Sequence, residues 1–370
     1  MSVEPRVRVA FIMEQHVGLR TYTANLRRFA DVDERIEASW TFITYFESGG
    51  LIERLPFVPD GLRGTMRGML QVRRALRSTS ADVCLFMTQT PVALAGRWRR
   101  RRPYVVMTDD TPVLYDGMSI HYGIPPDNNR ALRAWKHRVT VAGLRGAAKI
   151  VPMSDWARRS FIDDYGIDDA LIDVIPTGVD LEVWVPPAQR SPSPMRILFV
   201  GGDFERKGGA MLLEAFRRLP RGAAELHAVT RSSVGEEDGL TTHTGLEAND
   251  PALIELFTSS HVLVLASLAE AFPNVVVEAS AAGLPSIVTA VGGVPEMVVH
   301  GSTGFLIEPG DVDELARCLR ELLDDPRRRA AMGHAARARA EALYDGRRNS
   351  RRVVDHLLDA ARGDGRPAAP

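Results

Sequence analysis

Short apolar runs rich in β-branched residues alternate along the chain with longer segments whose apolar residues recur at helical spacing. In the first half, the runs RVRVAFIM, ASWTFITYF, DVCLFM, PYVVMT and KIVPMS have the character of strands. The alternation restarts at MRILFVGG and continues through AELHAVT, HVLVLAS and PSIVTA. Strands that alternate with helices form parallel sheets covered by helices on both faces. The pattern therefore predicts an α/β fold with two doubly wound parallel sheets.

A proline- and serine-rich stretch, VPPAQRSPSPM at residues 185–195, separates the two series of strands. Such composition is typical of a linker, and 370 residues exceed the size at which one hydrophobic core keeps growing. We therefore predict an N-terminal domain over residues 1–185 and a second domain over residues 186–345. Residues 346–370 are expected to form a C-terminal helix that crosses back to the N-terminal domain, followed by a frayed tail.

Charge and apolar composition exclude several classes of protein. The formal net charge of −1 is unlike the strongly basic character of domains that bind nucleic acid. The longest apolar stretch, residues 275–299, is interrupted by Glu278 and Pro285, so no membrane span is predicted. The N-terminus lacks the pattern of a signal peptide, and Cys84 and Cys318 are spaced for neither a disulfide framework nor a zinc site. We therefore expect a cytoplasmic protein.

The segment ILFVGGDFERKGGAMLLEAF at residues 197–216 has the order strand, glycine-rich turn, cations and helix. Glycines allow a ligand to approach the backbone closely, and the N-terminus of a helix presents free amide groups to an anion. Arg206 and Lys207 would neutralise a phosphate in this turn. The segment is therefore a candidate phosphate site. The alternative is an ordinary strand-to-helix turn that carries two solvated cations.

Two glutamates lie eight positions apart in the segment EAFPNVVVE, on either side of Pro273. Proline favours the first turn of a helix, so Glu270 is expected on the loop and Glu278 within the helix that follows. The N-terminus of that helix, near Asn274 and Val275, would form a second anion site at the same edge of the sheet as the first. The alternative is a pair of solvated carboxylates.

The residues from Glu270 onward resemble a known enzyme family. EAFPNVVVE fits the E-x7-E motif of the retaining GT-B glycosyltransferases, the group 1 family that includes sucrose synthase-like and phosphatidylinositol mannosyltransferase-like enzymes. The following AGLPSIVTAVGGVPEMVVHGSTGFLIEPGD resembles the C-terminal consensus of that family. EQHVGLRTY, VVMTDDTP, MSDWARRSF and IPTGVD resemble motifs of its N-terminal half, in the family's order. The resemblance implies a GT-B fold, in which two Rossmann-like domains face each other across a cleft.

The resemblance also implies roles for individual residues. Members of the family hold a nucleotide-sugar donor mainly in the C-terminal domain and a hydroxyl acceptor in the N-terminal domain. Lys207 and Arg206 would hold the donor diphosphate, and Gly18 would close over it. Glu278 would bind the ribose hydroxyls, and Glu270 would lie against the transferred sugar near the reacting carbon. The residues whose backbone would meet phosphate and sugar are Phe272, Pro273, Asn274 and Val275.

The sequence departs from the family's pattern at two places that concern the site. Gly202 stands where the family often has an arginine, so one phosphate cation is missing from the donor site and Arg206 is expected to substitute. Asp109 and Asp110 stand where the family frequently carries a histidine. We expect Asp109 to act in proton transfer and Asp110 to bind the acceptor, with His121 as a further acceptor contact. The alternative for the two aspartates is that they cap the following loop.

The resemblance implies a transfer that retains configuration, in which the acceptor attacks from the leaving group's own face and a diphosphate oxygen takes its proton. No D-x-D loop or cluster of histidines and carboxylates falls in a turn suited to a divalent ion, so no metal site and no cofactor are predicted. The co-substrate would be a nucleotide-diphosphate sugar, with UDP- and GDP-sugars favoured. A nucleotide-sugar epimerase of the same fold and a non-catalytic nucleotide-sugar-binding protein stay open as alternatives.

Two basic segments, residues 61–77 and 97–102, are candidates for peripheral contact with an anionic membrane at its inner face. In the first, leucines and methionines lie near one helical face and arginines surround them. The alternative is a helix packed on the N-terminal sheet with a solvated basic rim. The base, the sugar, the acceptor and the oligomeric state are not determined by the sequence.

Overall fold

The computed structural model describes residues 5–15, 17–54, 57–123, 129–191 and 194–363. The contacts between Cα atoms divide the chain into two compact units. The first unit comprises residues 1–117, 126–176 and 348–370, and the second comprises residues 118–125 and 177–347. The tail that the sequence predicts to be frayed lies beyond residue 363, outside the described residues.

The first unit is built around a parallel sheet of five strands in the order β2-β1-β3-β4-β5. Its strands are β1 (Val7–Glu14), β2 (Ile36–Ile43), β3 (Val83–Met87), β4 (Tyr104–Thr108) and β5 (Lys149–Pro152). Its helices include α1 (Val17–Ala30), α2 (Asp60–Ser78), α3 (Gln89–Ala95), α4 (Pro112–Met118), α5 (Arg130–Leu144) and α6 (Asp155–Asp163). Short 3-10 turns occupy Gly96–Arg101 and Asp169–Leu171, and a third, at Ser119–Tyr122, falls within the residues grouped with the second unit. The central strands β3 and β4 are buried along their whole length, as expected when helices cover both faces of a parallel sheet.

The second unit contains a parallel sheet of six strands in the order β11-β10-β9-β6-β7-β8. Its strands are β6 (Met195–Val200), β7 (Ala224–Val229), β8 (Leu240–His243), β9 (Val262–Leu265), β10 (Ser286–Thr289) and β11 (Gly304–Ile307). Its helices are α7 (Gly209–Phe216), α8 (Pro251–Ser259), α9 (Asn274–Ala281), α10 (Val312–Asp324) and α11 (Pro326–Leu343), with a 3-10 turn at Val294–Glu296. Both sheets have the doubly wound α/β topology that the apolar pattern predicts.

The last helix, α12 (Gly346–Arg362), is grouped with the first unit from residue 348 onward. Its buried Asn349 donates a hydrogen bond of 3.0 Å to the carbonyl oxygen of Pro176. Arg352 and His356 both contact the carboxylate of Asp173, at 2.9 and 2.7 Å. Asp355 accepts a hydrogen bond of 2.6 Å from Arg35. Polar contacts on several sides therefore fix this helix to the first unit.

The strand order of each sheet changes direction once. In the first sheet the change lies between β1 and β3, and in the second it lies between β9 and β6. The connections on the two sides of such a point lead to opposite faces of the sheet and leave a crevice at the carboxyl ends of the two strands. The loops after β1 and β3, and those after β6 and β9, are therefore the edges at which a ligand is expected.

Helix α2 packs through only part of the face of leucines and methionines seen in its sequence. Its buried residues are Gly68, Val72 and Leu76, whereas Leu62 and Leu70 are 52% and 53% exposed. Val72 and Leu76 belong to the hydrophobic core of the first unit, so core packing sets the orientation of the helix. Among the described residues, no helix combines the length and the apolar character that crossing a bilayer requires.

Candidate active site

The glycine-rich loop after β6 is pressed against the end of β9. Gly208, at the start of α7, has a φ of +78°, a left-handed conformation that side chains with a Cβ adopt at a cost. A Cβ at this position would also collide with the carbonyl oxygen of Ala266. The amide of Leu268 donates a hydrogen bond of 3.1 Å to the carbonyl oxygen of Arg206. A glycine at position 208 thus allows the loops after β6 and β9 to come into contact.

An ion pair between Lys207 and Glu270 joins these loops. Glu270 is 6% exposed, and its Oε1 also accepts a hydrogen bond of 2.8 Å from Ser267. Arg206 lies 3.8 Å from the same oxygen and donates 3.1 Å to the carbonyl oxygen of Ala269. Both predicted cations and one predicted carboxylate are therefore brought together, although Lys207 and Glu270 lie 63 positions apart in sequence.

A second turn supports the backbone of Glu270. Gly292 has a φ of +55°, and a Cβ on it would collide with the carbonyl oxygen of Glu270. The amide of Gly293 donates a hydrogen bond of 3.0 Å to the carbonyl oxygen of Ala271. This Gly-Gly turn therefore fixes the chain just before α9, where the predicted sugar contacts begin.

Glu278 has surroundings unlike those of Glu270. It lies in the second turn of α9 and is 3% exposed. Its carboxyl group forms no hydrogen bond or ion pair with the part of the chain that the structure describes. Burial raises the pKa of Glu278 to about 7. The two glutamates, eight positions apart, therefore have different electrostatic environments. Glu270 is paired with cations, whereas Glu278 is desolvated without a partner in the described chain.

The N-terminus of α9 begins at Asn274, immediately after the buried Pro273. The N-cap residue, Pro273, has no side chain that can accept a hydrogen bond from the first amide groups of the helix. Phe272 is buried and packs edge-to-face against Tyr344, with ring centroids 6.2 Å apart. Asn274 and Val275 are half-buried. The segment therefore combines a rigid entry into the helix with accessible first-turn residues.

Arg231 is a cation of this loop region that the sequence analysis missed. It is exposed and follows β7 by two positions. A Cβ on Gly202 would lie 2.7 Å from an Nη atom of Arg231, so the guanidinium occupies the space next to this glycine. Arg231 has no carboxylate partner among the residues with described positions. The family's arginine is absent at position 202, but a positive charge stands beside it.

In the first unit, a group of polar residues gathers where the strand order changes. Glu14, at the end of β1, is 6% exposed and accepts a hydrogen bond from the hydroxyl of Thr88, which follows β3. Thr88 has a φ of +67°, a strained conformation of the kind that is concentrated at functional sites. Burial, followed by the charges of Asp109 and Glu14, raises the pKa of Asp110 well above its ordinary value. Burial also raises the pKa of Tyr45, to which Glu14 contributes.

The predicted Asp109 and Asp110 therefore share an electrostatic environment with Glu14, which the sequence analysis did not select. The signal available for Glu14 was a carboxylate at the end of the first strand, directly before the glycine-containing turn. Gly18 is exposed in the first turn of α1. His121 is exposed in a 3-10 turn, and the next residue, Tyr122, places its ring 4.5 Å from the guanidinium of Arg206. Tyr122 thus contacts the glycine-rich loop.

Two family models match consecutive parts of the chain. The family described as "Glycosyltransferase Family 4" matches residues 38–183, and the family described as "Glycosyl transferases group 1" matches residues 185–339. The second match contains Lys207, Glu270 and Glu278. The two matches together cover most of the chain.

Curated relatives with similar sequences include two that are named as sugar transferases and one that is named as a glycogen synthase. D-inositol 3-phosphate glycosyltransferase of Pseudarthrobacter chlorophenolicus is 28% identical over 261 residues, covering 64% of this chain and 61% of that protein. MMP alpha-(1->4)-mannosyltransferase of Mycolicibacterium hassiacum is 30% identical over 213 residues, covering 54% of this chain and 51% of that protein. Glycogen synthase of Mycobacterium tuberculosis is 29% identical over 304 residues, covering 74% and 72%. The chain thus spans between 51% and 61% of the length of the first two relatives.

Solved structures of low sequence identity share the fold. Sucrose-phosphate synthase from Thermosynechococcus elongatus has a TM-score of 0.76 at 17% identity, covering 96% of this chain and 100% of that chain. Anabaena HepE, solved in complex with UDP-glucose, has a TM-score of 0.68 at 18% identity with the same coverage. The chain therefore belongs to the group 1 glycosyltransferases and has the α/β GT-B fold of that family.

Proposed function

We propose that the chain is a retaining glycosyltransferase, which moves a sugar from a nucleotide-diphosphate sugar to a hydroxyl group of an acceptor without a metal ion. The observation that carries the proposal is the pair of unlike glutamates that follow β9. Glu270 is paired with Lys207, whereas Glu278 is buried without a partner among the described side chains. A buried carboxylate without a partner costs free energy, which a ligand that brings hydrogen-bond donors would recover.

The donor contacts follow from this arrangement. Glu278 would accept hydrogen bonds from the two ribose hydroxyls, because a carboxylate with two free oxygens matches a pair of adjacent donors. Lys207 and Arg206 would hold the diphosphate, with the first amides of α9 as further donors. Glu270 would keep Lys207 in place and lie against the transferred sugar. The Anabaena relative was solved with UDP-glucose, which supports a UDP-sugar as the first donor to test.

The reaction would break the bond between the sugar's anomeric carbon and the diphosphate oxygen. The acceptor oxygen would form the new bond from the same face, and its proton would pass to the departing diphosphate. Negative charge develops on that diphosphate in the transition state, where fixed cations stabilise it more than they stabilise the donor itself. Lys207 and Arg206 would supply this stabilisation, since both lie at low exposure beside the same loop.

The acceptor is proposed to bind at the polar group of the first unit. Burial and the charges of Asp109 and Glu14 raise the pKa of Asp110, which favours the protonated carboxyl, and we propose that this carboxyl binds an oxygen of the acceptor. Asp109 would accept from an acceptor hydroxyl and orient it. A polyhydroxyl acceptor matches a site with both donors and acceptors, and the inositol-phosphate and glycogen enzymes among the relatives act on compounds of this class by name.

We also propose peripheral contact with an anionic membrane surface through residues 61–77 and 97–102. The half-exposed Leu62 and Leu70 and the exposed arginines nearby support it, because apolar and cationic side chains together favour a lipid interface.

A thermal-shift screen against UDP-, GDP-, ADP- and dTDP-sugars, with and without EDTA, tests the function. A ligand at about 100 times its Kd stabilises the native state by about 2.7 kcal/mol, which raises the Tm by several degrees. We expect one nucleotide class to raise the Tm equally with and without EDTA. A shift that EDTA abolishes would contradict metal independence, and no shift with any donor would contradict the proposed site.

Replacing Arg231 by alanine is expected to weaken donor binding about 10-fold, because one exposed cation near a diphosphate contributes roughly 1.4 kcal/mol. The unfolding temperature without donor should stay unchanged, since Arg231 has no carboxylate partner in the described chain. Isothermal titration of the donor into both proteins measures the difference.

The double variant Gly202→Arg with Arg231→Gly moves the cation from the loop after β7 to the position that the family uses. We expect it to recover most of the affinity lost in Arg231→Ala. Arg133→Ala, an exposed arginine of α5 in the other unit, is the matched control and should bind donor normally. Equal affinity of Arg231→Ala and the unaltered protein would show that this arginine is only a solvated side chain.

A further inference from the structure

A groove of about 710 Å³ on the first unit is lined by arginines from two segments. Arg73, Arg74 and Arg77 come from α2, and Arg97 comes from the 3-10 turn that follows α3. Its apolar lining is provided by Leu70 and Trp98. We refer to this feature as the arginine groove. It is separate from the polar group at the ends of β1, β3 and β4.

The arginine groove has no counter-charge of its own in the described chain. None of its four arginines forms an ion pair with a described carboxylate. Other arginines of the same helix are paired, since Arg63 lies 3.0 Å from Asp60 and Arg67 lies 2.5 Å from Glu53. Like charges crowded into one groove repel one another. The groove is therefore a place of concentrated positive potential.

Two details indicate that the arginine groove is organised. The Nε atom of Arg73 is buried and has no hydrogen-bond partner among the described atoms, which is an exceptional state for a buried donor. The ring of Trp98 holds the guanidinium of Arg77 at 5.3 Å and that of Arg101 at 3.7 Å. Tryptophan thus orders cations at the rim, and one donor inside is left unsatisfied.

Two arginines next to the arginine groove have structural roles. Arg99 donates a hydrogen bond of 2.8 Å to the carbonyl oxygen of Gly96, and Arg102 donates 2.5 Å to that of Ala81. These hydrogen bonds attach the 3-10 turn to the neighbouring backbone. The four groove arginines have no such carbonyl acceptor in the described ranges, so structural pairing does not account for them.

We propose that the arginine groove binds a phosphate group carried on an organic molecule, either a soluble phosphate ester or a lipid headgroup. Guanidinium groups present paired N–H donors that match phosphate oxygens, and several of them together neutralise a dianion. Arg73 would use its unsatisfied Nε, and Leu70 and Trp98 would contact the organic part. Its arginines lie within residues 61–77 and 97–102, so a lipid headgroup bound here would specify the proposed membrane contact, and the site does not depend on the donor loop.

Titration of pyrophosphate into the full-length protein tests the proposal through tryptophan fluorescence. A signal that is absent in Trp98→Phe reports on the groove. The double variant Arg73→Gln with Arg77→Gln is expected to weaken the binding that this signal reports at least about 10-fold, because two bidentate donors are lost. Arg133→Gln with Arg138→Gln on α5 removes the same charge from exposed positions and should bind normally.

Sedimentation with phosphatidylcholine vesicles, with and without phosphatidic acid, assigns the source of the phosphate. Binding to the acidic vesicles that pyrophosphate displaces would identify a lipid headgroup, and pyrophosphate binding without vesicle binding would identify a soluble ester. Both results support the site. No signal from Trp98, or an equal loss in the α5 control, would overturn it, because the arginines would then act only as diffuse surface charge.

Discussion

At pH 8, replacing Glu278 by glutamine is expected to stabilise the protein in the absence of donor, by up to about 3 kcal/mol. Burial raises the pKa of this carboxyl from 4.5 to about 7. Below about pH 4.5 the group is protonated in both the folded and unfolded states, so the substitution should change little. As the pH rises to 7, the unfolded chain ionises first and folding becomes less favourable. Above pH 7 the penalty is complete, and neutral glutamine avoids it.

The same substitution is expected to weaken donor binding by about 30- to 100-fold, because two hydroxyl groups lose a charged acceptor. Stability and function should therefore move in opposite directions, which is typical of a group retained for binding rather than for folding. Thermal unfolding between pH 5 and 8 and donor titration at pH 8 measure the two effects.

Glu255→Gln is the matched control, since Glu255 is an exposed glutamate of α8 in the same unit. It should leave both the pH dependence of unfolding and the donor affinity unchanged. A Glu278→Gln protein that binds donor normally would remove this residue from the site. A variant that is less stable at pH 8 would instead mean that the carboxylate has a native partner.

The sequence predicts most of the fold because its buried strands are short, uniformly apolar runs, such as VLVL at Val262–Leu265. Two of the elements that it misses, α11 and β8, lack that signal. The buried surface of α11 includes Gly333, Ala336 and Ala340, small residues that leave little apolar periodicity, and β8 is the largely exposed LTTH. Their weak amphipathic pattern therefore explains why the sequence does not reveal them. Tertiary packing, rather than local sequence preference, stabilises these two elements in the folded protein.

Motif spacing identified Lys207, Glu270 and Glu278, but it did not reveal that the two glutamates have different environments. The difference arises from the loop after β6, which brings a cation to Glu270 and none to Glu278. Glu14 and Arg231 were missed for a related reason. Glu14 is brought to the site by Thr88, and Arg231 by Gly202, and each of these partners follows a neighbouring strand of the sheet. The spacing of residues within one segment does not reveal which strands are neighbours.

Replacing Lys207 by methionine is expected to lower kcat about 100- to 1,000-fold with the donor identified by thermal shift, because a fixed cation no longer meets the charge that develops on the diphosphate. Methionine keeps much of the length of the side chain. The substitution also leaves the buried Glu270 with only Arg206, at 3.8 Å, as a counter-charge. We therefore expect the free energy of unfolding to fall as well, by roughly 3 kcal/mol. Steady-state kinetics and chemical unfolding measure the two losses.

The double variant Lys207→Met with Glu270→Gln separates these two consequences. It removes both charges of the ion pair, so most of the lost stability should return, since no buried carboxylate remains without its partner. The rate should not return, because the diphosphate still lacks the cation. If kcat recovered together with stability, Lys207 would serve only to neutralise Glu270, and the leaving-group charge would have to be stabilised by Arg206 and the N-terminus of α9.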